Sequence, residues 1–84
     1  MTRLLFFGRL RDVAGQGERL VDLPADIGTV GELRAWLANE DADLGAALQA
    51  GGIHVVVDQV LRNGAAVSVR GAREIAFMPP LSGG

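Results

Sequence analysis

The sequence predicts a single α+β domain in which one main helix covers one face of a mixed β-sheet. Three observations predict this fold class. Apolar, strand-like runs stand near both ends of the 84-residue chain, a well-capped amphipathic helix lies between them, and β-branched runs follow that helix. With 49% hydrophobic residues, the chain has enough apolar side chains for one small core.

The first predicted strand is the apolar run at residues 4–7, "LLFF". Because every position is apolar, this run is typical of a strand in the middle of a sheet rather than at its edge. Residues 9–14 form a possible helical turn that Gly15 and Gly17 close. The segment "ERLVDLP" then predicts a second strand, stopped by Pro24, and the glycine-bearing link between the two strands predicts a hairpin.

The clearest local signal is the helix start in "TVGELRAWLANED". Thr29 and Glu32 match the S/T-x-x-E capping box, in which the two side chains accept hydrogen bonds from free backbone amides at the helix start. Apolar residues then recur at helical spacing and predict one buried stripe, formed by Val30, Leu33, Trp36 and Leu37.

A second, shorter helix is predicted in "DADLGAALQAGG", with Asp41 or Asp43 as its N-cap and glycines 51–52 at its end. Its apolar stripe consists of Leu44, Ala47 and Leu48. The following segment, "IHVVVDQ", is rich in β-branched residues and predicts a third strand. Turn signals at 63–64 and at Gly71 precede a last strand at residues 74–78, so the sheet has about five strands.

Side-chain alternation predicts which strand residues face the helix. If the first and last strands lie side by side, the two chain ends build the centre of the sheet. The set packed on Leu33, Trp36 and Leu37 is then Leu4, Phe6, Ile75 and Phe77. Phe7 and Met78 point outward, and exposed large apolar side chains on so small a protein indicate a docking surface.

Composition excludes several functional classes. The chain has no cysteine, which removes disulfides, thiolate metal sites and a cysteine nucleophile. The formal net charge is −2 and the 8 basic residues, all arginine, are scattered, whereas nucleic-acid binding needs a basic excess. Without lysine, there is no side-chain amine for a Schiff base or an isopeptide bond. The apolar N-terminal run is too short for a signal peptide or a membrane span, so we expect a cytoplasmic protein that binds neither nucleic acid nor membrane.

We find no set of side chains that predicts an active site within the domain. His54 is the only histidine and has no second ligand or acid partner nearby in sequence. Glu40, Asp41 and Asp43 lack the calcium-loop pattern and are explained as capping and solvated charge. No glycine-rich phosphate loop occurs, and Ser82 has no base beside it. We therefore expect this chain to bind no metal and no cofactor.

The ending "MPPLSGG" places the chemistry elsewhere. Its two prolines cannot donate ladder hydrogen bonds and its two glycines have no side chain to pack, so we expect a domain at residues 1–80 and a flexible tail at residues 81–84. Fully extended, that tail reaches roughly 13–14 Å at ~3.3–3.6 Å per residue. Such an end can carry a carboxylate into a narrow channel. The carboxylate is a poor acyl donor until a partner enzyme activates it, for example by adenylation with ATP.

The segments "LLFFGRLRDVAG", "TVGELRAWL" and "IAFMPPLSGG" together resemble the small subunits of molybdopterin synthase, the MoaD family of ubiquitin-like sulfur carriers. The likeness covers nearly the whole chain, and the "FxPPxSGG" ending is its most specific part. The resemblance implies a ubiquitin-like β-grasp fold. It also implies a chain that is not itself catalytic, because the active site belongs to the large subunit, with which the family forms a heterotetramer.

The resemblance further implies that Gly84 carries the chemistry. In the family, a ubiquitin-activator-like enzyme adenylates the terminal glycine with ATP, and a sulfur donor converts it into a thiocarboxylate. The tail, here Leu81, Ser82 and Gly83, inserts into the large subunit. There its sulfur is used to build the dithiolene of molybdopterin on a cyclic pyranopterin monophosphate, a step of molybdenum cofactor biosynthesis. Family docking uses an apolar patch on the exposed sheet face, which maps to Phe7, Leu61 and Met78.

Two departures from the family pattern concern the partner surface. Relatives usually carry an aspartate-rich turn before the last strand, where this chain has "VRGARE" with Arg70 and Arg73, and Met78 replaces a usual aromatic residue. Two other interpretations remain open. One is a sister carrier that serves thiamine or tRNA thiolation, or a modifier attached to protein lysines; a thiamine-type carrier is expected to be shorter and to lack the two prolines. The other is a binding module with an inert terminus.

Overall fold

The computed structural model of the chain describes residues 1–80. The elements in chain order are β1 (Thr2–Phe6), α1 (Arg9–Ala14), β2 (Glu18–Val21), α2 (Val30–Glu40), α3 (Ala42–Gln49), β3 (His54–Val57), β4 (Val60–Leu61) and β5 (Glu74–Met78). The strands form one five-stranded sheet in the order β2-β1-β5-β3-β4. The predicted α+β class, with a mixed sheet and helices packed on one face, is confirmed.

The first and last strands form the centre of the sheet, as predicted. They run parallel, with Leu4 opposite Ile75 and Phe6 opposite Phe77. The Phe7 amide donates to the Phe77 carbonyl (3.1 Å), which extends the pairing beyond the end of β1. All other pairings are antiparallel, including the predicted pairing of β1 with β2. Strand β5 therefore has a hydrogen-bonded neighbour on both sides.

The core lies between the sheet and the helices. The sheet residues predicted to face the helices, which include Phe6 and Phe77, are buried there with Leu33 and Leu37 of α2. The two phenylalanine rings stack with centroids 5.7 Å apart. Trp36 differs from the prediction because it is only partly buried against this core. Each fully buried side chain of this size stabilises the fold by about 1.5–3 kcal/mol.

The N-terminus of α2 has the predicted cap with one difference. The Thr29 hydroxyl accepts a hydrogen bond from the Glu32 amide (3.2 Å). The Glu32 carboxylate accepts from the Gly28 amide (2.9 Å), one residue before the position that the capping box predicts. This bond from Gly28 holds the pKa of Glu32 below its usual value of 4.5.

Asp41 is the N-cap of α3, which decides between the two predicted candidates. Its carboxylate accepts from the amides of Asp43 (3.0 Å) and Leu44 (3.1 Å), and its own amide donates to the last turn of α2. The two helices approach closely at Gly45, where an added Cβ atom would overlap the Cβ of Ala38. Residue 45 must therefore be glycine for α2 and α3 to pack as they do.

A hairpin that the sequence did not predict joins β3 and β4. The predicted third strand extends to residue 59, but β3 ends at Val57 because Asp58 (φ 47°) and Gln59 (φ 70°) turn the chain. Two central residues with positive φ are typical of a type I′ turn, which glycine or asparagine usually occupies. The Asp58 carboxylate accepts from the amides of Arg73 (2.8 Å) and Glu74 (3.0 Å) and so ties this turn to the start of β5.

Candidate functional site

The face of the sheet opposite the helices is called the open face here. Strand alternation and pairing register place on it the side chains that do not point into the core. The end from which the chain leaves β5 and the middle of this face consist of Leu5, Phe7, His54, Val56, Leu61, Ala76 and Met78. The other end consists of Leu20, Arg3 and Glu74, and Glu18 of β2 lies beside Leu5 at the edge.

The three residues predicted to dock a partner all lie on this open face. Phe7 is 44% exposed, Met78 40% and Leu61 61%. Because Phe6 pairs with Phe77, the next residues along each strand, Phe7 and Met78, are neighbours on the opposite side of the sheet. The outward orientation predicted for Phe7 and Met78 is confirmed, whereas their role in docking stays a prediction.

Between these exposed side chains the open face has an apolar floor. Ala76 lies in the row between Leu5 on β1 and Val56 on β3. It is buried although it is on the open side, while Leu5 and Val56 are half-buried. The small side chain of Ala76 is buried because its two larger neighbours cover it, although no helix of residues 1–80 packs on this face. The exposed apolar residues therefore border a continuous apolar surface.

A shallow groove lies on the open face at the end of β5. It is lined by Met78, Pro79 and Pro80 together with Leu61 and His54. His54 is the cross-strand partner of Met78. His54, for which the sequence predicts no catalytic role, lies at the edge of the candidate docking surface, and only the pairing of β3 with β5 reveals this position.

Asn63 fixes the ring of His54 in this groove. The Asn63 side-chain oxygen accepts from the Val55 amide (2.8 Å), which leaves its amide nitrogen 3.0 Å from Nδ1 of His54. Since an amide NH₂ group only donates, Nδ1 accepts in this arrangement and Nε2 carries the proton. Nδ1 of His54 is then engaged with Asn63, and Nε2 is the ring nitrogen left for a partner.

The opposite end of the open face is charged. Arg3 donates to the carboxylate of Glu74 (3.3 Å), and Arg3 is paired across the sheet with Leu20. Asp58 and Arg73 lie beside this pair and share a shallow depression with it. Since an ion pair this exposed contributes about 0–1 kcal/mol, its main effect is to end the apolar surface there.

The two arginines of the "VRGARE" turn lie in different places. The Arg70 guanidinium donates to the carbonyl of Ala25 (3.0 Å) and lies over Gly28, where a Cβ atom would be 2.5 Å from Nη2. Arg70 therefore holds the loop before α2. Arg73 is exposed at the charged end of the open face, where a partner can reach it.

The residues predicted to carry the chemistry come directly after Pro80, which lines this groove. Leu81, Ser82, Gly83 and Gly84 lie outside the described residues. The structure describes the two residues that precede them, Pro79 and Pro80, which leave β5 next to Met78. The chain therefore continues toward Gly84 from the apolar end of the open face.

Two further observations concern residues 1–80 only. They contain no group of three or more histidine, aspartate and glutamate side chains close enough to hold a metal ion. None of the helices in this part of the chain combines the length and the apolar character that crossing a membrane requires. The candidate site is the apolar open face with the groove at the end of β5.

Comparison with known proteins identifies relatives along the whole chain. The ThiS family model matches residues 4–84. The molybdopterin synthase sulfur carrier subunit of Haemophilus influenzae is 32% identical over 84 residues, which is 100% of both chains.

Solved structures show the same fold. The structure of SAMP1 from Haloferax volcanii has a TM-score of 0.79 at 25% identity and covers 99% of this chain and 98% of its own. A structure of small archaeal modifier protein 1 of H. volcanii has a TM-score of 0.70 at 23% identity and covers 95% and 97%. The ubiquitin-like β-grasp fold implied by the sequence resemblance is confirmed. The chain belongs to the ThiS family and is a ubiquitin-like sulfur carrier of the ThiS and MoaD type.

Proposed function

We propose that this chain is the sulfur carrier subunit of a molybdopterin synthase and that Gly84 is the group that carries the sulfur. The observation that carries the proposal is the 32% identity with the H. influenzae carrier subunit over the full length of both chains. The open face supports it, because an apolar surface with Phe7 and Met78 lies where the chain leaves β5 toward Gly84.

The first step activates the carboxylate. An oxygen of the Gly84 carboxylate attacks the α-phosphorus of ATP on a ubiquitin-activator-like enzyme, and pyrophosphate leaves. Sulfide-level sulfur from a sulfur donor then attacks the acyl carbon, and AMP leaves with the electron pair of the broken C–O bond. The product is a C-terminal thiocarboxylate. The chain itself needs no bound cofactor for this sequence, since ATP is bound by the partner.

The second step transfers the sulfur. The tail (Leu81, Ser82 and Gly83) places the thiocarboxylate in the active site of the large subunit. There its sulfur bonds to a carbon of a cyclic pyranopterin monophosphate, and a C–O bond of that carbon breaks with oxygen as the leaving group. Water then hydrolyses the bond between the acyl carbon and the sulfur, which leaves the sulfur on the pterin and restores the Gly84 carboxylate. One carrier supplies one sulfur atom and a dithiolene contains two, so two charged carriers are used per molybdopterin. A heterotetramer of two small and two large subunits in the cytoplasm fits this requirement.

Docking and delivery are linked in this proposal by the central strand pair. Because β1 and β5 are parallel, Phe7 and Met78 lie at the same end of the sheet as the exit toward Gly84. Leu61 extends the apolar surface from the neighbouring hairpin. A partner that binds these three side chains therefore sits over the point from which the tail leaves.

The test has two stages. The chain is incubated with its adenylating enzyme, ATP and a sulfur donor, and intact mass spectrometry measures replacement of one oxygen by sulfur. Deletion of Gly84 abolishes the shift. The charged carrier is then mixed with the large subunit and cyclic pyranopterin monophosphate, and molybdopterin is measured. A wild-type chain that stays uncharged contradicts the carrier chemistry, and charging without product contradicts the pathway.

A protein modifier is the second candidate function. The similarity to SAMP1, with a TM-score of 0.79, favours it, since the same activated Gly84 can be attacked by an amine in place of sulfur. Copies of this chain offer each other no lysine, so a modifier of this sequence cannot form lysine-linked chains with itself. Conjugates that appear with ATP and survive thiol treatment would support the modifier. Sulfur transfer to thiamine or tRNA precursors, tested with the corresponding acceptor proteins, is the remaining carrier alternative.

A further inference from the structure

Two glycines contact the two prolines that follow β5. A Cβ atom at Gly8 would lie 2.8 Å from Cγ of Pro79, which is closer than carbon atoms approach without displacement. A Cβ atom at Gly52 would lie 3.1 Å and 3.2 Å from Cγ and Cβ of Pro80. We call these four residues the glycine cradle.

The glycines of the cradle come from opposite sides of the central strand. Gly8 is the N-cap of α1 and follows Phe7, the first residue after β1. Gly52 lies in the turn between α3 and β3. Since β1 and β3 are the two neighbours of β5, Pro79 and Pro80 are held from both flanks. The hydrogen bond from the Phe7 amide to the Phe77 carbonyl (3.1 Å) keeps the Gly8 side of the cradle close to β5.

The prolines cannot yield to an added side chain as a flexible residue would. A proline ring is closed onto its own backbone, so its Cγ atom can move only by a change of ring pucker. We therefore expect a Cβ atom at Gly8 or Gly52 to press on residues 79–80 and to shift their backbone. Both glycines also have positive φ, 56° and 86°, which L side chains rarely adopt.

We propose that Gly8 and Gly52 are positioning residues for adenylation of the Gly84 carboxylate. They fix the backbone of Pro79 and Pro80 and so set the direction in which the chain leaves the open face. This inference rests on the proposed carrier function, because direction matters only if a docked partner must receive the carboxylate. A misplacement of about 1 Å in a reacting group can lower a rate by about 100-fold.

The chain contains control glycines that have positive φ but contact no proline. Gly15, at the other end of α1, has φ 79°, and Gly71 has φ 71°, and within residues 1–80 no heavy atom beyond the glycine's own chain neighbours lies within 4 Å of a Cβ atom at either position. We pair G52A with G71A, which have similar φ. G15A is a less strict control for G8A, because Gly8 (ψ −136°) lies outside the left-handed helical region that Gly15 (ψ 1°) occupies and strains an alanine more. The test of Gly8 therefore also needs the double substitution described below.

The experiment measures kcat and KM of ATP–pyrophosphate exchange, with the adenylating enzyme and each variant as substrate, and the free energy of unfolding by urea. For G8A and G52A we expect kcat to fall about tenfold or more below the controls, while KM changes less than about twofold. The loss of unfolding free energy is expected to be similar for G52A and G71A, and larger for G8A than for G15A because of the different ψ at Gly8. Equal kcat values within both pairs overturn the proposal. Failure of the wild-type chain to support exchange overturns the proposed function instead.

A double substitution tests the contact itself. Replacing Pro79 by alanine removes the ring atoms that the added methyl group of G8A would meet, so G8A/P79A is expected to recover part of the kcat lost in G8A. Contacting residues show such non-additive effects, whereas independent sites add. Additive losses would mean that Gly8 acts through its own backbone alone and would overturn its assignment. If G8A does not fold, G52A with G52A/P80A provides the same test at the milder contact.

Discussion

The two faces of the sheet contain the same kinds of side chain in adjacent positions. Phe6 is 2% exposed and Phe7 44%, although they follow one another in the chain. Phe77 and Met78 show the same contrast on β5. The difference lies in what covers them, because the helices pack on Phe6 and Phe77, while Phe7 and Met78 border the groove at the end of β5. Apolar surface thus stabilises the domain on the covered face and remains free for a partner on the open face.

The Phe6 and Phe7 pair gives the largest expected effect. Phe6→Ala removes a buried ring that stacks on Phe77 and is expected to lower the free energy of unfolding by about 3–5 kcal/mol. Phe7→Ala is expected to lower it by about 1 kcal/mol or less, because its ring is half in solvent already. Urea unfolding of both variants measures the difference. Equal losses would contradict the distinction between the two faces.

Phe7→Arg tests the open face as a docking surface. A charge placed in an apolar interface is expected to weaken binding to the large subunit at least about 30-fold, or about 2 kcal/mol. The unfolding free energy should change little, since the longer side chain extends into solvent. Titration calorimetry measures the affinity, with Val13→Arg on α1 as the control. Binding that survives Phe7→Arg, or that Val13→Arg weakens equally, contradicts the assigned surface.

Asp41→Ala affects the covered face alone. The variant loses the cap of α3, whose carboxylate accepts two backbone hydrogen bonds, and should lose about 1 kcal/mol of unfolding free energy. Affinity for the partner should stay unchanged, because α3 packs on the side of the sheet opposite the docking surface. Thermal unfolding and the same calorimetric titration check the two statements. A weakened affinity in the folded variant would show that the two faces are coupled.

Glu32 gives the smallest effect and depends on pH. The hydrogen bond from Gly28 lowers the pKa of Glu32 in the folded protein, so its contribution is present above the usual value of 4.5 and is lost as pH falls through the folded-state pKa. Glu32→Gln should therefore unfold more easily than the wild type at neutral pH, and the difference should shrink below pH 4.5. Urea midpoints across this pH range measure it. A constant difference would mean that ionisation of Glu32 is irrelevant to stability.

Structural features that depend on a few neighbouring residues could be predicted from the sequence. The apolar run that contains Phe6 predicted a central strand, the period of two predicted that Phe7 and Met78 face outward, and Thr29 predicted the start of α2. Each depends on a repeat or a spacing that one element contains by itself. The burial of Trp36 could not be predicted in this way, because the helical spacing of apolar residues does not show how far the sheet extends beneath the helix.

Contacts between distant segments could not be predicted from the sequence. The turn at Asp58 and Gln59 contains no glycine or asparagine, the residues that usually indicate such a turn. The amides of Arg73 and Glu74, from another part of the chain, stabilise it. The fits of Gly8 against Pro79 and of Gly52 against Pro80 depend on strand pairing across the molecule, as does the placement of His54 beside Met78. No local pattern specifies which glycine a given proline will meet.

The central position of β5 has a consequence for how the protein is made. This strand is the last element of the described chain to leave the ribosome, yet β1 and β3 both pair with it. Until residues 74–78 emerge, these two strands expose unpaired edges, and the core lacks Ile75 and Phe77. Such non-local pairing delays folding until β5 has been translated. A ribosome that stops early therefore releases a chain that proteases can remove, and any carrier folded well enough to dock has already been translated through β5.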